Sequence, residues 1–396
     1  MKFNYSKHVP NTDNDATGAI LAAAADPKVI SLAGGLPAAE LFPVEDFRAS
    51  ANRVFDEHGA QALQYGGAAG LPALREEIIR NFLKPRQVEG AVENIAVTTG
   101  SEQAIEQIAK MFINDGDTVL VEAPTYLCTV DAFKSFGAKI VTVAMDDDGM
   151  KMDALEEALK AHPEAKLIYT IPTFQNPTGR TMPVERREQF VKLADKYGVP
   201  VLEDDPYGAI RYSGKAVPPL KHFDKTGNVI YMSSFSKILA PGFRLGFVVA
   251  DEGFIKTFTI MKQIADLHSD NFSQYLVADY LAHNDVDAHI AKISKLYQHR
   301  FELMQSLIES EFPAGVKHSN PEGGMFIWCQ IPGDIDTQAL FDACIKQGVA
   351  FVPGDPFYAG ESESGTMRLN FSNVDDDTIR EGMKRLGAAI TKFLNK

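Results

Sequence analysis

The chain has 396 residues, with 39 Lys and Arg against 53 Asp and Glu, so its formal net charge is −14. This acidic balance argues against nucleic acid and anionic membrane surfaces as partners. Hydrophobic residues make up 45% of the chain, which excludes a fully disordered protein, and the length is sufficient for two domains at about 100–200 residues per domain.

The N-terminal segment combines a polar arm with an Ala-rich stretch, predicted to be helical, that ends at Asp26 and Pro27. This start lacks the apolar core of a secretory signal, and the apolar run at 19–25 is too short to span a bilayer. The cysteines, Cys128, Cys329 and Cys344, are too far apart for a disulfide scaffold or a cysteine-rich zinc site. We therefore expect a cytoplasmic protein with reduced thiols.

From residue 94 to residue 250, short apolar runs alternate with amphipathic helical patterns. Such alternation predicts an α/β fold with a largely parallel sheet. The predicted strands are Ile95–Val97, Thr118–Glu122, Lys139–Val143, Lys166–Ile171, Val199–Glu203, Val229–Met232 and Leu245–Ala250. The predicted helices between them are Glu102–Ile113, Tyr126–Phe136, Met152–Ala161 and Pro183–Tyr197.

Beyond residue 251 the pattern becomes mainly helical as far as Phe312, with an expected break near His283–Asp285. The mixture that follows predicts a smaller α+β domain, with the domain boundary inside the long helical stretch. Its predicted elements are a strand at Gly324–Gln330, a helix at Thr337–Gln347, strands at Val349–Val352 and Thr366–Phe371, and a final helix at Asp375–Leu394.

The segment SSFSKILAPGFRLG, at 233–246, carries the strongest chemical signal and follows a predicted strand. A single lysine is normally a solvated surface residue. Here Ser234, Ser236 and Arg244 offer two hydroxyls and a guanidinium to an anion beside Lys237. An amine held near a phosphate can serve as a Schiff-base nucleophile. The segment therefore predicts an anion cradle around a reactive amine.

Three further segments follow predicted strands, where open α/β sheets bind their ligands. In TTGSEQ, at 98–103, a helix N-terminus can bind phosphate, although a plain turn with Ser101 as N-cap explains it equally well. In VLEDDPY, Asp204 can hold a heterocyclic nitrogen protonated and Tyr207 can donate to a ring oxygen. In TFQNPTG, Asn176 offers an amide to a ligand. For the last two segments, VLEDDPY and TFQNPTG, purely structural roles in caps and turns are the alternatives.

Together, and in their order along the chain, these segments resemble the fold-type I, class I and II aminotransferases, which use pyridoxal 5′-phosphate. The resemblance covers nearly the whole chain and includes SLAGGLP at 31–37, LQYGGAAGLPALREEI at 63–78 and MRLNF at 367–371. SLAGGLP and EDDPY look most like the branch that holds the 2-aminoadipate and kynurenine aminotransferases. The resemblance implies an aspartate aminotransferase-like fold, with a mostly parallel seven-stranded sheet in the large domain. The implied divisions are an arm and part of the small domain at 1–45, the cofactor domain at 46–280 and the C-terminal small domain at 281–396.

The resemblance also implies a role for each matching residue. Lys237 would form the Schiff base with the cofactor and then move the proton at the substrate, while Asp204 would pair with the ring nitrogen. Tyr207 and Asn176 would bond the ring hydroxyl. Tyr126 would stack on the ring, and the phosphate would be held by Gly100, Ser101, Glu102, Ser234, Ser236 and Arg244, with Tyr65 reaching from a neighbouring subunit. Arg368 would clamp the substrate α-carboxylate, with Asn176 and Gly35 close to the substrate.

Glu102 departs from the family pattern, because this branch often has Gln at that position. A backbone N–H group at residue 102 can still bind phosphate, whereas a carboxylate facing the phosphate would repel it. We therefore expect the Glu102 side chain to point away from the phosphate. The shared site also implies a homodimer, and no metal is expected.

Other classes of protein fit less well. SFSK at 234–237, SDN at 269–271 and KTG at 225–227 match the short signatures of serine β-lactamases and penicillin-binding proteins, but KTG comes first, which is the wrong order. A ligand-sensing regulator with an aminotransferase-like domain is disfavoured by the acidic charge and by the 30 residues before SLAGGLP, too few for a winged-helix domain. No HExxH zinc motif occurs, and GGAAG at 66–70 is not GxGxxG.

Within the cofactor class, lyases, decarboxylases and cyclases stay open, because they share the scaffold and the lysine. The favoured hypothesis is an aminotransferase that works by a ping-pong mechanism. It would move the amino group of an aromatic, branched or 2-aminoadipate-like L-amino acid to a 2-oxo acid, with 2-oxoglutarate as the first candidate.

Overall fold

A computed structural model describes residues 3, 5–9, 18, 26 and 28–395. The predicted Ala-rich helix before Asp26 lies outside the described residues. The helices are α1 Val44–Ala62, α2 Pro72–Ile78, α3 Gly100–Phe112, α4 Leu127–Ser135, α5 Met152–Ala161, α6 Val184–Tyr197, α7 Leu220–Phe223, α8 Glu252–Asp266, α9 Asn271–His283, α10 Val286–Glu311, α11 Thr337–Ile345 and α12 Asp376–Leu394. The strands are β1 Ile30–Ser31, β2 Ile95–Thr98, β3 Thr118–Ala123, β4 Lys139–Asp146, β5 Gly149–Met150, β6 Leu167–Thr170, β7 Val201–Asp204, β8 Val229–Ser234, β9 Gly246–Val249, β10 Lys317–His318, β11 Phe326–Gln330, β12 Val349–Ala350, β13 Val352–Pro353 and β14 Thr366–Asn370.

The largest sheet has the strand order β2-β9-β8-β7-β6-β3-β4-β5. Strands β8, β7, β6, β3 and β4 are parallel to one another, and β9 is antiparallel to both of its neighbours. The seven predicted strands are all present, so the mostly parallel sheet is confirmed. The eighth strand, β5, was missed because its two residues carry no readable periodicity.

Strands β2, β6, β7 and β9 are buried at every residue, which is the pattern of a sheet covered on both faces. On one face, Ile105 and Ile108 of α3 pack with Phe258 of α8. On the other, Leu159 of α5 packs with Phe190 of α6. The helices leave the carboxyl ends of the parallel strands uncovered, and the loops after β7 and β8 meet there.

The C-terminal part of the chain forms a four-stranded antiparallel sheet with the order β10-β11-β14-β13. A separate parallel pair joins β1 to β12, with Ile30 opposite Val349, so the segment around residue 30 joins the C-terminal elements. The predicted strand Val349–Val352 is therefore two strands in two sheets. The predicted division into three segments stays a proposal.

The long helical stretch after residue 252 breaks twice. The predicted break appears between α9 and α10, where the Asp285 side chain accepts from the Ala288 N–H and caps α10. The second break, between α8 and α9, was not predicted. There Leu267 has a φ of 64°, and the Asp270 carboxylate caps α9 through the Ser273 N–H. Among the described helices, none combines the length and the apolar character needed to cross a bilayer.

Candidate active site

A cavity of about 340 Å³ opens at the carboxyl-terminal edge of the large sheet. It brings together residues from distant parts of the chain, as expected at such an edge. Twelve of the fourteen predicted site residues line it: Gly35, Ser101, Glu102, Tyr126, Asn176, Asp204, Tyr207, Ser234, Ser236, Lys237, Arg244 and Arg368. Of the other two, Gly100 lies against Arg244, whereas Tyr65 is exposed and does not line the cavity of its own chain.

Lys237 ends a short 3₁₀ turn that follows β8. Its Nζ donates to the carbonyl oxygen of Gly35 at 2.7 Å, which aims the amine into the cavity. Burial, together with the nearby positive charges of Arg368 and Arg244, lowers the pKa of Lys237 to about 8. A larger share of this amine is therefore neutral near pH 7 than for an exposed lysine, as a nucleophile requires.

Asp204 is the last residue of β7 and is nearly fully buried. Its Oδ2 accepts a hydrogen bond of 2.8 Å from the Tyr169 hydroxyl. Its Oδ1 is buried without a hydrogen-bond partner among the described residues. Burial is the main cause that raises the pKa of Asp204 to about 7. A buried carboxylate oxygen left without a donor at a cavity wall fits a ligand that brings one, such as a protonated ring nitrogen.

The opposite end of the cavity offers donors to an anion. Gly100 and Ser101 form the first turn of α3, where free backbone N–H groups point outward. A Cβ at Gly100 would lie 2.6 Å from Nη2 of Arg244, so only glycine lets the guanidinium approach this turn. The Ser234 hydroxyl donates to the Ser236 hydroxyl at 2.9 Å. Hydroxyls, amides and a guanidinium together suit a phosphate.

Arg368, on β14, also lines the cavity. Its Nη1 donates to Oδ1 of Asn176 at 2.7 Å and its Nη2 to the carbonyl oxygen of Ala33 at 2.9 Å. The guanidinium lies over the ring of Phe326, 4.2 Å from its centroid. Burial lowers the pKa of Arg368 to about 10, so it is still charged at neutral pH. The Asn176 amide donates in turn to the Tyr207 hydroxyl at 3.4 Å.

Glu102 lines the same cavity from the first turn of α3. Burial raises the pKa of its carboxyl, and attraction to Arg244 opposes that rise. Its negative charge also contributes to the raised pKa values of Asp204 and Tyr126. The expectation that this side chain turns away from a bound phosphate stays a prediction.

Sequence reasoning missed a buried network beneath the first turn of α3. Lys262 of α8 is fully buried, and its Nζ donates to Oε1 of Gln103 at 2.8 Å and to Oδ2 of Asp266 at 2.9 Å. The same Gln103 oxygen accepts the Thr99 N–H at 2.8 Å. In the sequence, Lys262 and Asp266 read as an ordinary i,i+4 pair on a helix surface, so no local signal separates them from solvated residues.

A second missed network holds the turn that carries Asn176. Gln175 donates to Oε2 of Glu122 at 3.0 Å, and its own Oε1 accepts from the backbone N–H of Thr178 at 2.9 Å. Glu122 also accepts from the Thr170 hydroxyl at 2.5 Å. Burial raises the pKa of Glu122 to about 7. These contacts join residues about 50 positions apart along the chain, which a scan for local motifs cannot detect.

The arrangement does not favour serine acyl transfer. The Ser234 hydroxyl bonds Ser236, and the Lys237 amine bonds the Gly35 carbonyl, so the two side chains do not form a nucleophile–base pair. Within the described part of the chain, no group of three or more His, Cys, Asp or Glu side chains could hold a metal ion. An amine, a buried carboxylate and an anion cradle around one cavity define an enzyme that binds a ring cofactor bearing a phosphate.

Comparison with known proteins gives the family. The model for aminotransferase class I and II matches residues 27–386. Aromatic-amino-acid aminotransferase 1 of Thermococcus litoralis is 45% identical over 372 residues, covering 93% of this chain and 89% of that protein. The kynurenine aminotransferase structure of Pyrococcus horikoshii has a TM-score of 0.95 at 41% identity, covering 99% and 98% of the two chains. The α-aminoadipate aminotransferase LysN of Thermus thermophilus, complexed with N-(5′-phosphopyridoxyl)-L-leucine, has a TM-score of 0.91 at 33% identity over 99% and 98%.

The chain therefore belongs to the class I and II aminotransferases. It is an aminotransferase that uses pyridoxal phosphate and amino acid and 2-oxo acid substrates. The predicted resemblance and the aspartate aminotransferase-like fold are both confirmed.

Proposed function

We propose that this aminotransferase takes the amino group from aromatic and other large apolar L-amino acids and passes it to 2-oxoglutarate. The reaction runs as two half-reactions at one cavity, in a ping-pong scheme. The observation that carries the assignment of roles is the convergence of Lys237, Asp204 and Arg368 on that cavity. Each brings a group that the chemistry needs: an amine, a carboxylate and a guanidinium.

The chain's own residues bind the cofactor and move the proton. Pyridoxal phosphate, when bound, supplies an electron sink for negative charge at the substrate Cα. Lys237 would hold the cofactor through its Nζ, and its amine would carry the proton from and to the substrate Cα. Its pKa of about 8 supports both tasks, because a base works best near the operating pH.

The residues in and beside the cavity suit the remaining contacts with the cofactor. Asp204 would keep the ring nitrogen protonated, and Tyr207 and Asn176 would donate to the ring hydroxyl. Tyr126 would stack on the ring. Donors for the phosphate would come from Gly100, Ser101, the backbone N–H of Glu102, Ser234, Ser236 and Arg244.

Arg368 binds the α-carboxylate of the amino acid through two parallel N–H donors. Asn176 and the Ala33 carbonyl hold the guanidinium in place for this. Gly35 lies beside the substrate, where Phe326 already approaches to 3.4 Å from the position of a Cβ. A side chain at residue 35 would narrow the entrance.

The cavity has several apolar residues and a glycine in its lining, and these support the choice of donor. They are Ala33, Gly34, Leu36, Leu127, Ile171, Phe326 and Val352. Among the described residues, the cationic side chains of the cavity are Lys237, Arg244 and Arg368, and each already has a proposed task. The undescribed residues between 10 and 27 contain neither Lys nor Arg. Among the described residues that line the cavity of one chain, a second, distal carboxylate therefore has no further cationic partner.

We further propose a homodimer with shared sites. Five exposed apolar side chains form a surface that we name the apolar patch: Leu63, Tyr65, Ile260, Ile264 and Leu267. Ile260 and Ile264 lie on one face of α8, and Leu267 follows directly after this helix. The centroid of the Tyr65 ring lies 5.8 Å from that of His268, so the segment with Leu63 and Tyr65 lies beside the end of α8. Monomers rarely leave such a surface uncovered. A partner over this patch would bring Tyr65 to the other subunit's phosphate.

The cytoplasm is the proposed compartment, supported by the three cysteines, none of which forms a disulfide.

A half-reaction screen tests the proposed donors. Purified protein loaded with pyridoxal phosphate is mixed with single amino acids, and loss of the visible absorption band is followed. We expect phenylalanine, tyrosine and leucine to react with a kcat/KM about tenfold or more above that of 2-aminoadipate, the discrimination expected when a charge lacks a partner. Faster reaction with 2-aminoadipate would overturn the donor assignment. If the amino acid yields an oxo acid and no carbon dioxide, the protein is not a decarboxylase. Parallel assays with 2-oxoglutarate and with pyruvate test the choice of amino acceptor.

A further inference from the structure

Tyr169 is a fully buried tyrosine on β6, the strand next to the one that ends in Asp204. Residue 169 pairs with Leu202 of β7, so its side chain lies on the same face of the sheet as Asp204, two residues further on. The ring packs edge-on against Phe133, with the centroids 5.9 Å apart. The phenol therefore has little freedom, and its hydroxyl donates to Oδ2 of Asp204 at 2.8 Å.

The two oxygens of the Asp204 carboxylate differ in their surroundings. Oδ2 is held by Tyr169, whereas Oδ1 is buried with no hydrogen-bond partner in the described part of the chain. A carboxylate held at neither oxygen could turn about its Cβ–Cγ bond and present either of them. The hydrogen bond to Oδ2 removes that freedom and leaves Oδ1 to the ligand.

The charges around Asp204 oppose its ionised form. Asp205, Glu102 and Glu122 add repulsion to the effect of burial, and all of them raise the pKa of this carboxyl. The Tyr169 hydroxyl acts in the opposite direction, because a hydrogen bond to the charged form favours it. Tyr169 itself does not line the cavity.

We propose that Tyr169 is a positioning residue, which holds the Asp204 carboxylate ionised and oriented so that Oδ1 bonds the ring nitrogen of the cofactor. It acts only through Asp204 and touches neither cofactor nor substrate. The inference rests on the role proposed above for Asp204.

Tyr231 supplies a matched control. It is also fully buried, on the other neighbour of β7, and its hydroxyl donates to Oδ2 of Asp205 at 2.9 Å. Asp205 is also bonded by Arg86, away from the cavity lining. Tyr231→Phe and Tyr169→Phe thus remove the same hydroxyl from equally buried sites, but only Tyr169 bonds the carboxylate that faces the cavity.

The test compares the two variants by cofactor affinity and by the pH titration of the visible band of the loaded protein. Tyr169→Phe should bind pyridoxal phosphate about tenfold more weakly, the effect of losing one hydrogen bond to a charged group. The pH midpoint of the band should rise, because a ring nitrogen without its proton no longer opposes protonation of the nitrogen on Lys237. Tyr231→Phe should change neither quantity. In an Asp204→Asn background, Tyr169→Phe should have no further effect.

An unchanged midpoint and affinity in Tyr169→Phe would overturn the inference, as would equal shifts in both variants. If Asp204→Asn itself leaves the spectrum unchanged, the role of Asp204 fails instead, and the two failures are thus distinguishable. Should Tyr169→Phe not fold, replacement of Tyr169 by 3-fluorotyrosine keeps the shape and strengthens the donor. In the fluorotyrosine protein the pH midpoint of the visible band should be lower than in the unmodified protein. An unchanged midpoint would count against the inference.

Discussion

In the role proposed for Lys237, the environment of its amine sets how quickly the cofactor-free protein takes up pyridoxal phosphate. Burial and two neighbouring guanidinium groups bring the pKa of Lys237 from 10.5 to about 8. That change raises the neutral fraction at pH 7 by about 300-fold. Uptake should therefore accelerate about tenfold per pH unit up to pH 8 and level off above it. A rate that is constant between pH 6 and pH 9 would contradict this.

Arg368 contributes to that lowered pKa, because its charge repels the protonated amine of Lys237. Replacing it with the uncharged Arg368→Met should move the midpoint of the uptake profile upward. Arg211→Met is a matched control, since Arg211 is paired with Glu322 and does not line the cavity. We expect its profile to follow that of the unmodified protein.

The two-pronged hold proposed for Arg368 on the α-carboxylate would be common to every amino acid substrate. Arg368→Lys keeps the charge but loses the fork geometry. We expect KM to rise by about 10- to 100-fold for all donors alike, the range for hydrogen bonds to a charged group. Steady-state kinetics with phenylalanine, leucine and 2-aminoadipate measures this. A large effect on one donor only would assign Arg368 to the substrate side chain instead.

At the scale of elements, the turn that carries Asn176 is held in place by the Glu122 carboxylate of β3, which accepts a hydrogen bond from Gln175. Burial raises the pKa of Glu122 from 4.5 to about 7, so the folded chain binds more protons than the unfolded chain between these values. Stability therefore falls as pH rises through this window. Glu203 and Asp204 act in the same direction.

Glu122→Gln removes one of these titrations, and the fall in Tm between pH 5 and pH 8 should become shallower. The variant should also be less stable overall, because both oxygens of Glu122 accept hydrogen bonds and the Gln amide can replace only one of them with an acceptor. Glu156→Gln is the control: Lys196 and Tyr197 lower the pKa of Glu156 to about 2, so its titration lies outside the window. An unchanged slope in Glu122→Gln would show that this carboxyl is not protonated in the fold.

Sequence patterns predicted this fold well because several of its strands are short apolar runs, such as Gly246–Val249, between helices with clear periodicity. The candidate site was predicted through short segments in which glycine, serine and proline surround a reactive residue, as around Lys237. The partners that hold those residues were missed. Tyr169 reads as an ordinary buried strand residue, and Lys262 as an exposed helix residue. Their contacts depend on strand register and helix packing, which no local pattern contains.

At the scale of the whole molecule, the apolar patch sets the expected assembly. Ile264, a member of this patch, is 69% exposed, so Ile264→Asp would place a charge in the proposed interface, which would exclude water. We expect this variant to be monomeric in sedimentation analysis at concentrations where the unmodified protein is a dimer. Leu394→Asp, at the end of α12, alters an exposed leucine outside the patch and should leave the mass unchanged. A dimeric Ile264→Asp protein would argue for a different interface.

Helix α8 carries Ile260 and Ile264 of the apolar patch on its outer face and Lys262 on its inner face, where Lys262 and Asp266 support the turn proposed to bind the phosphate. A partner that fixes this helix therefore also fixes the anion cradle, and an anion in the cradle stabilises the helix for its partner. Such coupling is reciprocal by thermodynamic necessity. Subunit exchange should slow when pyridoxal phosphate is bound, and dilution to monomers should release it. The concentration of the protein would then help to control how much of it is active.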